Sequence, residues 1–270
     1  MGLFEAVIQF RTIPTRDVRF VEAQEAPEEA PVILWLSGGP GCSATIGLFF
    51  EVGPCKVVEE GNNTIPNPYA WTKYANVIFI DQPVNVGFSY SDKGKVTSSA
   101  TAAEDVYAFL QLFFGKFNKF AKLPLHVIGE SYGGTYGPNV ASVIFKANQD
   151  IQRGVLSNVR HLNLASVVLE NGYTDPYTQI GSVADYACDG PFPIFSDPNG
   201  KECTTLRSRI PTCQRFIDSC YRSNLRAACV AATVYCGKRI LEPVTRALPS
   251  VLCFFCVLIK PQKPVSTHTT

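Results

Sequence analysis

The feature that most constrains this chain is a serine between two glycines, with a strand-like apolar run before it and a helix-like pattern after it. The run that begins at Leu125 alternates as in a buried strand, and the apolar residues of 140–147 have helical spacing. Between them lies the G-x-S-x-G pattern of residues 129–133. Glycines on both sides of Ser131 leave room for a tight strand-to-helix turn that exposes the hydroxyl. This context predicts that Ser131 is a nucleophile; the alternative is a buried serine in a glycine-rich crossover.

Further apolar runs of strand length lie on both sides of the motif. They cover Val32–Leu36, Asn76–Ile80 and 162–169. A helix with the capping-box pattern Thr101-x-x-Glu104 is predicted between the second run and the motif. Strands that alternate with helices and end in glycine-containing loops are typical of a doubly wound α/β sheet. Ligands of such sheets bind beyond the carboxyl ends of the strands.

Three loops are predicted to meet at that edge of the sheet. They contain Gly38-Gly39, Ser131 and Asn171-Gly172, each directly after a predicted strand. Glycines at a strand end expose backbone N–H groups, which is what an oxyanion hole requires. For Gly38-Gly39 taken alone, an ordinary glycine turn is the alternative.

Cysteines are concentrated after the predicted strands. Cys213 and Cys220 are seven residues apart, and so are Cys229 and Cys236. Seven residues are about two helical turns, so a helical hairpin would pair Cys220 with Cys229 and Cys213 with Cys236. A zinc site is the alternative, but such sites usually use C-x-x-C spacing. Residues 181–246 are therefore predicted to form a disulfide-rich helical cap inserted at the edge of the sheet.

Composition limits the partners and the compartment. The 270 residues carry a net charge of +1 without long charge runs, which argues against nucleic acid or an anionic membrane as a main partner. Ten cysteines favour an oxidising compartment, although residues 1–16 show no signal-peptide pattern. Asn62 is a candidate glycan acceptor if the chain is secreted. No apolar stretch approaches the roughly 20 residues of a membrane span, and no metal or cofactor is predicted.

Four ordered motifs and the cysteine pattern resemble the serine carboxypeptidases, in particular the fungal carboxypeptidase Y type. The motifs are PVILWLSGGPGC from Pro31, DQPVNVGFSYS from Asp81, GESYGG from Gly129 and NGYTDP from Asn171. The resemblance extends over about residues 20–246 and implies an α/β-hydrolase fold without a cofactor. It also implies a peptide C-terminus as the substrate, from which single residues are removed at acid pH in a vacuole or outside the cell.

The resemblance further implies roles for the serine turn and for the cysteines. Ser131 becomes the nucleophile, and the N–H groups of Gly39 and Tyr132 form the oxyanion hole. Cys188 pairs with Cys203, in addition to the two nested pairs of the hairpin.

A second group of residues is implied to hold the carboxylate of the substrate. Glu51 and Glu130 match two family carboxyls that share a proton, because like charges that close cannot both ionise. Trp35, Ser37 and Gly38 belong to the same network. Ser37 replaces the asparagine that is usual in the family, which is expected to weaken carboxylate binding.

The family's catalytic aspartate and histidine lie downstream of the helical cap, and both are expected to be missing from this chain. His126 and His161 are predicted at the wrong end of their strands, and His268 lies in a tail without a visible fold. The expected function is therefore that of a serine carboxypeptidase by family that is inactive as it stands. The alternatives are a non-catalytic fragment that binds peptide C-termini and an incomplete gene model.

The predicted organisation has three parts. Residues 20–180 form the N-terminal part of the α/β-hydrolase core, 181–246 form the cap, and 247–270 form a tail that resembles no part of the family. The C-terminal strands of the sheet are expected to be missing. Cys42 and Cys55 are expected to be left without a disulfide partner.

Overall fold

The computed structural model describes residues 17–92 and 94–248. These residues form two compact units, the first ending at Thr174 and the second beginning at Asp175. The division predicted between residues 180 and 181 is close to this point in the sequence. Most of the predicted tail 247–270, with His268, lies outside the described residues.

The first unit is built on a five-stranded sheet and a two-stranded hairpin. The strands are β1 (Val18–Val21), β2 (Val32–Leu36), β3 (Cys55–Val58), β4 (Asn63–Pro66), β5 (Asn76–Ile80), β6 (Leu125–Glu130) and β7 (Leu164–Glu170). The sheet has the order β1-β5-β2-β6-β7, in which β1 is antiparallel to β5 and the other pairs are parallel. Strands β3 and β4 form the hairpin. The sheet is thus mostly parallel, as predicted, with one antiparallel strand at its edge.

Two long helices, α1 (Ser99–Lys116) and α2 (Gly133–Gln152), pack on this sheet. Strand β2 is buried on both faces: Leu34 belongs to the core that α1 and α2 cover, whereas Ile33 and Trp35 belong to a second core with Val77. Burial on both faces explains why this strand is a continuous apolar run rather than an alternating one.

Two elements, helix α1 and the last strand, have bounds that differ from the prediction. Helix α1 begins at Ser99, and the hydroxyl of Ser98 caps it by accepting from the N–H of Thr101 at 3.1 Å, so the capping box predicted at Thr101 is wrong. The last strand was predicted from residue 162 but begins at Leu164. The reason is that the N–H and C=O of Leu162 bond to the side chain of Asn148, at 3.0 and 2.7 Å.

Strand β7 is the outermost strand on its side of the described sheet. Its side chains of Val167, Val168 and Leu169 are 39–42% exposed. An apolar strand edge of this kind is a surface on which other chains can pair or aggregate.

The second unit is helical and disulfide-bonded. Its helices are α3 (Pro176–Gly181), α4 (Lys201–Ser223), α5 (Arg226–Cys236) and α6 (Glu242–Ala247). The disulfides are Cys188–Cys203, Cys213–Cys236 and Cys220–Cys229, of which the last two join α4 to α5. These pairs agree with the expected ones, and they leave none of the six sulfurs available as a zinc ligand. Of the described residues, no helix combines the length and the apolar character of a membrane span.

Neither cysteine of the first unit forms a disulfide with another cysteine among residues 17–92 and 94–248. Cys42 follows β2 and Cys55 begins β3, and each is partly buried. Both were expected to lack a disulfide partner.

Removal of the outer bridge of the hairpin should destabilise the second unit. The double substitution Cys213→Ser and Cys236→Ser opens a loop with a sequence separation of 23 residues, and the gain in entropy of the unfolded chain should cost about 3 kcal/mol of unfolding free energy. Urea denaturation followed by circular dichroism measures the loss. Cys55→Ser, which removes a cysteine outside the three disulfides, is the matched control, and an equal midpoint for both variants would contradict the prediction.

Candidate active site

The predicted nucleophile lies in a tight turn between β6 and α2. The backbone φ of Ser131 is +56°, a left-handed conformation that costs a non-glycine residue about 1–2 kcal/mol. The turn is held by backbone hydrogen bonds: the N–H of Ser131 donates to the carbonyl of Glu170 at 3.0 Å, and its carbonyl accepts from Tyr173 at 2.7 Å and Gly134 at 2.9 Å. The loop after β7 therefore supports the serine directly.

Three glycines of the motif have no room for a side chain. A Cβ atom on Gly129 would lie 2.1 Å from the carbonyl oxygen of Gly133, and one on Gly133 would lie 2.6 Å from the carbonyl oxygen of Leu36. A Cβ atom on Gly134 would lie 2.6 Å from the backbone nitrogen of Tyr173. Strands β2 and β6, the start of α2 and the loop after β7 thus pack backbone against backbone, which only glycine allows.

The glycine loop after β2 lies against the same turn. A Cβ atom on Gly38 would lie 2.6 Å from the Cβ of Ser131 and 2.7 Å from the backbone nitrogen of Tyr132. Gly39, the next residue, has a φ of +106°, a conformation that favours glycine. Tyr132 caps the N-terminus of the 20-residue helix α2, where the helix dipole favours negative charge. The structure thus brings together the two loops from which an oxyanion hole was predicted.

Three glutamates approach the same strand ends. Glu130 ends β6, Glu170 ends β7, and Glu51 ends the short π-helical turn Gly47–Glu51. Glu130 and Glu170 are paired in the parallel register of β6 and β7. Neighbours in such a register lie on one face of the sheet. Glu51 and Glu130 were predicted as a pair, and Glu170 adds a third carboxyl that the sequence did not reveal.

Burial and mutual repulsion keep protons on this cluster. Burial, followed by the charges of Glu130 and Glu170, raises the pKa of Glu51 to about 7. Burial also raises the pKa of Glu130, with a further contribution from Glu170. One buried carboxyl oxygen, Oε2, of both Glu51 and Glu170 has no hydrogen-bond partner within the described part of the chain. At neutral pH the cluster can therefore retain a proton and donate a hydrogen bond to an anionic ligand.

Trp35 and Ser37 lie at the carboxyl end of β2. The indole N–H of Trp35 donates to the hydroxyl of Ser37 at 3.2 Å, and both side chains are buried. The π-helical turn that ends in Glu51 packs closely on the indole, because a Cβ atom on Gly47 would lie 2.3 Å from Nε1 of Trp35. Trp35 thus positions the backbone that carries Glu51. The weaker carboxylate binding expected from Ser37 remains a prediction.

A cavity of about 300 Å³ borders the serine turn. Its lining includes apolar and aromatic residues of three segments: Pro40 and Gly41; Pro83, Val84 and Val86; and Tyr132 with Tyr136. The start of α1 closes it with Ser98 and Ser99. The cavity has the size and lining to take an apolar side chain.

The two described histidines lie away from the serine. His126 is the second residue of β6, about 16 Å from Ser131 at the usual rise per strand residue. Its Nδ1 pairs with the hydroxyl of Ser166 at 2.7 Å. His161 precedes β7, at the other end of that strand from Glu170.

Residues 19–248 match the family model of the serine carboxypeptidases. The chain belongs to the serine carboxypeptidase family. The resemblance that four motifs and the cysteine pattern indicated is thereby confirmed.

Named relatives agree with this membership. The chain is 41% identical over 232 residues to Carboxypeptidase Y of Schizosaccharomyces pombe, an alignment that covers 84% of this chain and 23% of the relative. It is 43% identical over 228 residues to Carboxypeptidase Y homolog A of Uncinocarpus reesii, which covers 84% of this chain and 40% of the relative. The chain thus spans less than half the length of these two relatives.

A solved structure gives the same fold. The chain aligns with the structure of Kex1(Δ)p, a prohormone-processing carboxypeptidase from Saccharomyces cerevisiae, with a TM-score of 0.63 at 24% identity. The alignment covers 87% of this chain and 52% of the Kex1(Δ)p chain. The predicted α/β-hydrolase class is therefore confirmed.

The substitution Gly38→Ala should destabilise the first unit. Its Cβ would lie 2.6 Å from the Cβ of Ser131, and overpacking against fixed backbone costs about 1–3 kcal/mol. Gly115→Ala is the control, because no atom lies within 4 Å of a Cβ on this residue of α1, and alanine should stabilise a helix by up to about 1 kcal/mol. Urea denaturation measures both, and equal shifts in the same direction would contradict the analysis.

The carboxyl of Glu51 predicts a pH-dependent effect on stability. Its pKa is raised from 4.5 to about 7 in the folded chain, so the folded state alone disfavours its ionisation. Below about pH 4.5 the carboxyl is protonated in both states, and the destabilisation grows until the pH exceeds the folded pKa. Glu51→Gln should therefore raise the unfolding free energy at pH 8 and leave it nearly unchanged at pH 4.

The expected gain at pH 8 is on the order of 1 kcal/mol, because solvent screens a half-buried group. Urea denaturation at both pH values measures it. Glu104→Gln, at an exposed position of α1, is the matched control. A gain from Glu51→Gln that is equal at the two pH values would show that the effect is not one of ionisation.

Proposed function

We propose that the protein acts as a serine-type carboxypeptidase in which Ser131 attacks the last peptide bond of a polypeptide. The observation that carries this proposal is the left-handed backbone of Ser131, packed against Gly38 at the strand ends where Glu51 and Glu130 also lie. Similarity to carboxypeptidases over 84% of the chain supports the same activity.

The proposed reaction has two steps. The hydroxyl oxygen of Ser131 attacks the carbonyl carbon of the peptide bond and loses its proton to a base, and the N–H groups of Gly39 and Tyr132 stabilise the oxyanion. The C–N bond then breaks, the amine takes a proton, and the C-terminal amino acid departs. The rest of the peptide stays bound to the serine as an acyl ester. Water hydrolyses the ester and restores the hydroxyl. In the family the base is a histidine, which an aspartate orients.

The carboxyl cluster explains the proposed choice of a chain end. A peptide bond within a chain has no charge beside it, whereas the last bond lies next to a carboxylate. A protonated Glu51 or Glu130 donates a hydrogen bond to that carboxylate, and Trp35, Ser37 and Gly38 complete its surroundings. Since the pKa of Glu51 is about 7, this recognition should be favoured at acid pH and lost as the pH rises above neutral.

The positions of the histidines favour a second candidate function. Neither His126 nor His161 lies at the serine end of its strand. Without a base the hydroxyl of Ser131 is a weak nucleophile. On this alternative the chain binds peptide C-termini and does not hydrolyse them.

The proposed location is a vacuole or the cell exterior. Three disulfides support it, because disulfides persist in oxidising compartments. The exposed Asn62, between β3 and β4, is the proposed glycan acceptor in that location.

Two assays on the full chain separate the two candidates. An N-blocked dipeptide with a free C-terminus is incubated with the chain at pH 5, and release of the last residue is measured. A serine-directed fluorophosphonate is tested in parallel. The carboxypeptidase proposal expects turnover and labelling, both lost in Ser131→Ala.

The control substrate is the same dipeptide with an amidated C-terminus. It should be neither cleaved nor bound, because it offers no carboxylate to Glu51. Binding of the free acid without turnover would support the second candidate instead. Turnover that persists in Ser131→Ala would exclude Ser131 as the nucleophile.

A further inference from the structure

Glu170 is tied to the proposed nucleophile through the main chain. Its carbonyl accepts from the N–H of Ser131 at 3.0 Å, and Tyr173, three residues later, donates to the carbonyl of Ser131 at 2.7 Å. The hydroxyl of Thr135 donates to the carbonyl of Tyr173 at 2.8 Å, and that of Thr174 donates to the carbonyl of Gly134 at 3.2 Å. These bonds leave the backbone of Glu170 little freedom relative to the serine turn.

The side chain of Glu170 belongs to the carboxyl cluster. Its register partner on β6 is Glu130, so both side chains leave the sheet on one face. Its Oε2 atom is buried and makes no hydrogen bond to any described residue. Nothing in the fold of the first unit requires a carboxylate here, whereas a leucine or methionine of similar size would avoid the cost of burying a polar atom.

The charge of Glu170 acts on the two glutamates of the proposed carboxylate site. It raises the pKa of Glu130 and that of Glu51, after the larger effect of burial. Further titratable groups surround these glutamates. Burial and the charge of Glu130 raise the pKa of the Cys42 thiol, and burial, with Tyr132 and Cys42, raises the pKa of Tyr136 to about 12. No described lysine, arginine or histidine contributes to these pKa values.

We propose that Glu170, whose side chain leaves the sheet beside Glu130 and carries a buried Oε2 atom, is a positioning residue for carboxylate recognition that acts through Glu51 and Glu130. The inference rests on the proposed function of that pair. Its consequence is that the site accepts a C-terminal carboxylate at a higher pH than two carboxyls alone would allow.

The sign of the effect follows from two opposed contributions. The negative charge of Glu170 repels the carboxylate of a peptide directly, which weakens binding. It also holds the proton that Glu51 or Glu130 needs to donate, which extends binding upward in pH. Removal of the charge should therefore lower the pH midpoint of binding without weakening binding at low pH.

The test compares Glu170→Gln with the full-length wild-type chain. Fluorescence anisotropy of a labelled peptide with a free C-terminus gives the affinity between pH 4 and pH 9, and carbon-13 NMR of labelled glutamate follows the titration of Glu51, assigned with Glu51→Gln. We expect the binding midpoint and the Glu51 titration to move together to lower pH, by roughly half a unit. The affinity at pH 4.5 should be unchanged or higher.

Two further variants separate charge from structure. Glu170→Asp keeps the charge and should restore the wild-type midpoint, even if a shorter side chain lowers the affinity. Glu104→Gln removes an exposed charge from α1 and should change neither midpoint. A merely structural role of Glu170 would weaken binding at all pH values in both Glu170 variants and leave the midpoint in place.

The outcomes for this inference and for the proposed function are distinct. Wild-type chain that fails to bind the free-acid peptide at any pH would overturn the proposed carboxylate site, and with it the ligand of this inference. Intact binding with an unmoved Glu51 titration in Glu170→Gln would overturn the role of Glu170 alone. Circular dichroism of each variant shows that the fold is retained, and Glu170→Asp provides the comparison if Glu170→Gln does not fold.

Discussion

The pair of backbone hydrogen bonds that joins Ser131 to the last residue of β7 and to the loop after it is the constraint on which the site depends. A serine does not remain in a left-handed conformation unless its surroundings hold it there. The bonds to Glu170 and Tyr173 do so from one side, and the close approach of Gly38 does so from the other. The backbone of Ser131 is therefore held by the main chains of neighbouring segments that follow β2 and end β7.

The same packing sets the electrostatics of the site. Backbones pack closely at Gly38, Gly129 and Gly134, where a side chain has no room. Glu51 and Glu130 are half-buried, so they lose part of their hydration, and the charge of Glu130 adds to the raised pKa of Glu51. Burial disfavours the charged form of each carboxyl, so the cluster is neutralised by binding a proton. Burial is accordingly the largest cause of the raised pKa of Glu51 and of Glu130.

Elements whose surroundings are uniform could be predicted from the sequence. Strands β2 and β5 have the predicted bounds because burial on both faces leaves only apolar residues between two polar ends. The serine turn could be predicted because its glycines are required by close backbone contacts within a short segment. The cysteine hairpin could be predicted because its spacing repeats over two helical turns.

What depends on contacts between distant segments could not be predicted. Glu170 was missed because its position beside Glu130 follows from the pairing of two strands, and the register of β6 and β7 shifts at Leu125 and His126. Counting from predicted strand ends does not reveal such a shift. Residue 162 was placed in a strand because the apolar pattern does not show that Asn148 satisfies the backbone of Leu162.

The left-handed backbone of Ser131 lowers the stability of the fold while it serves the proposed chemistry. Glycine adopts that conformation without a steric penalty. A sequence selected for thermodynamic stability alone would therefore carry glycine at position 131. A serine retained there is a measurable burden on the native state, of a kind that enzymes accept at reactive centres. Redesign of this chain for stability alone would therefore tend to replace Ser131 and remove the hydroxyl that the proposed reaction requires.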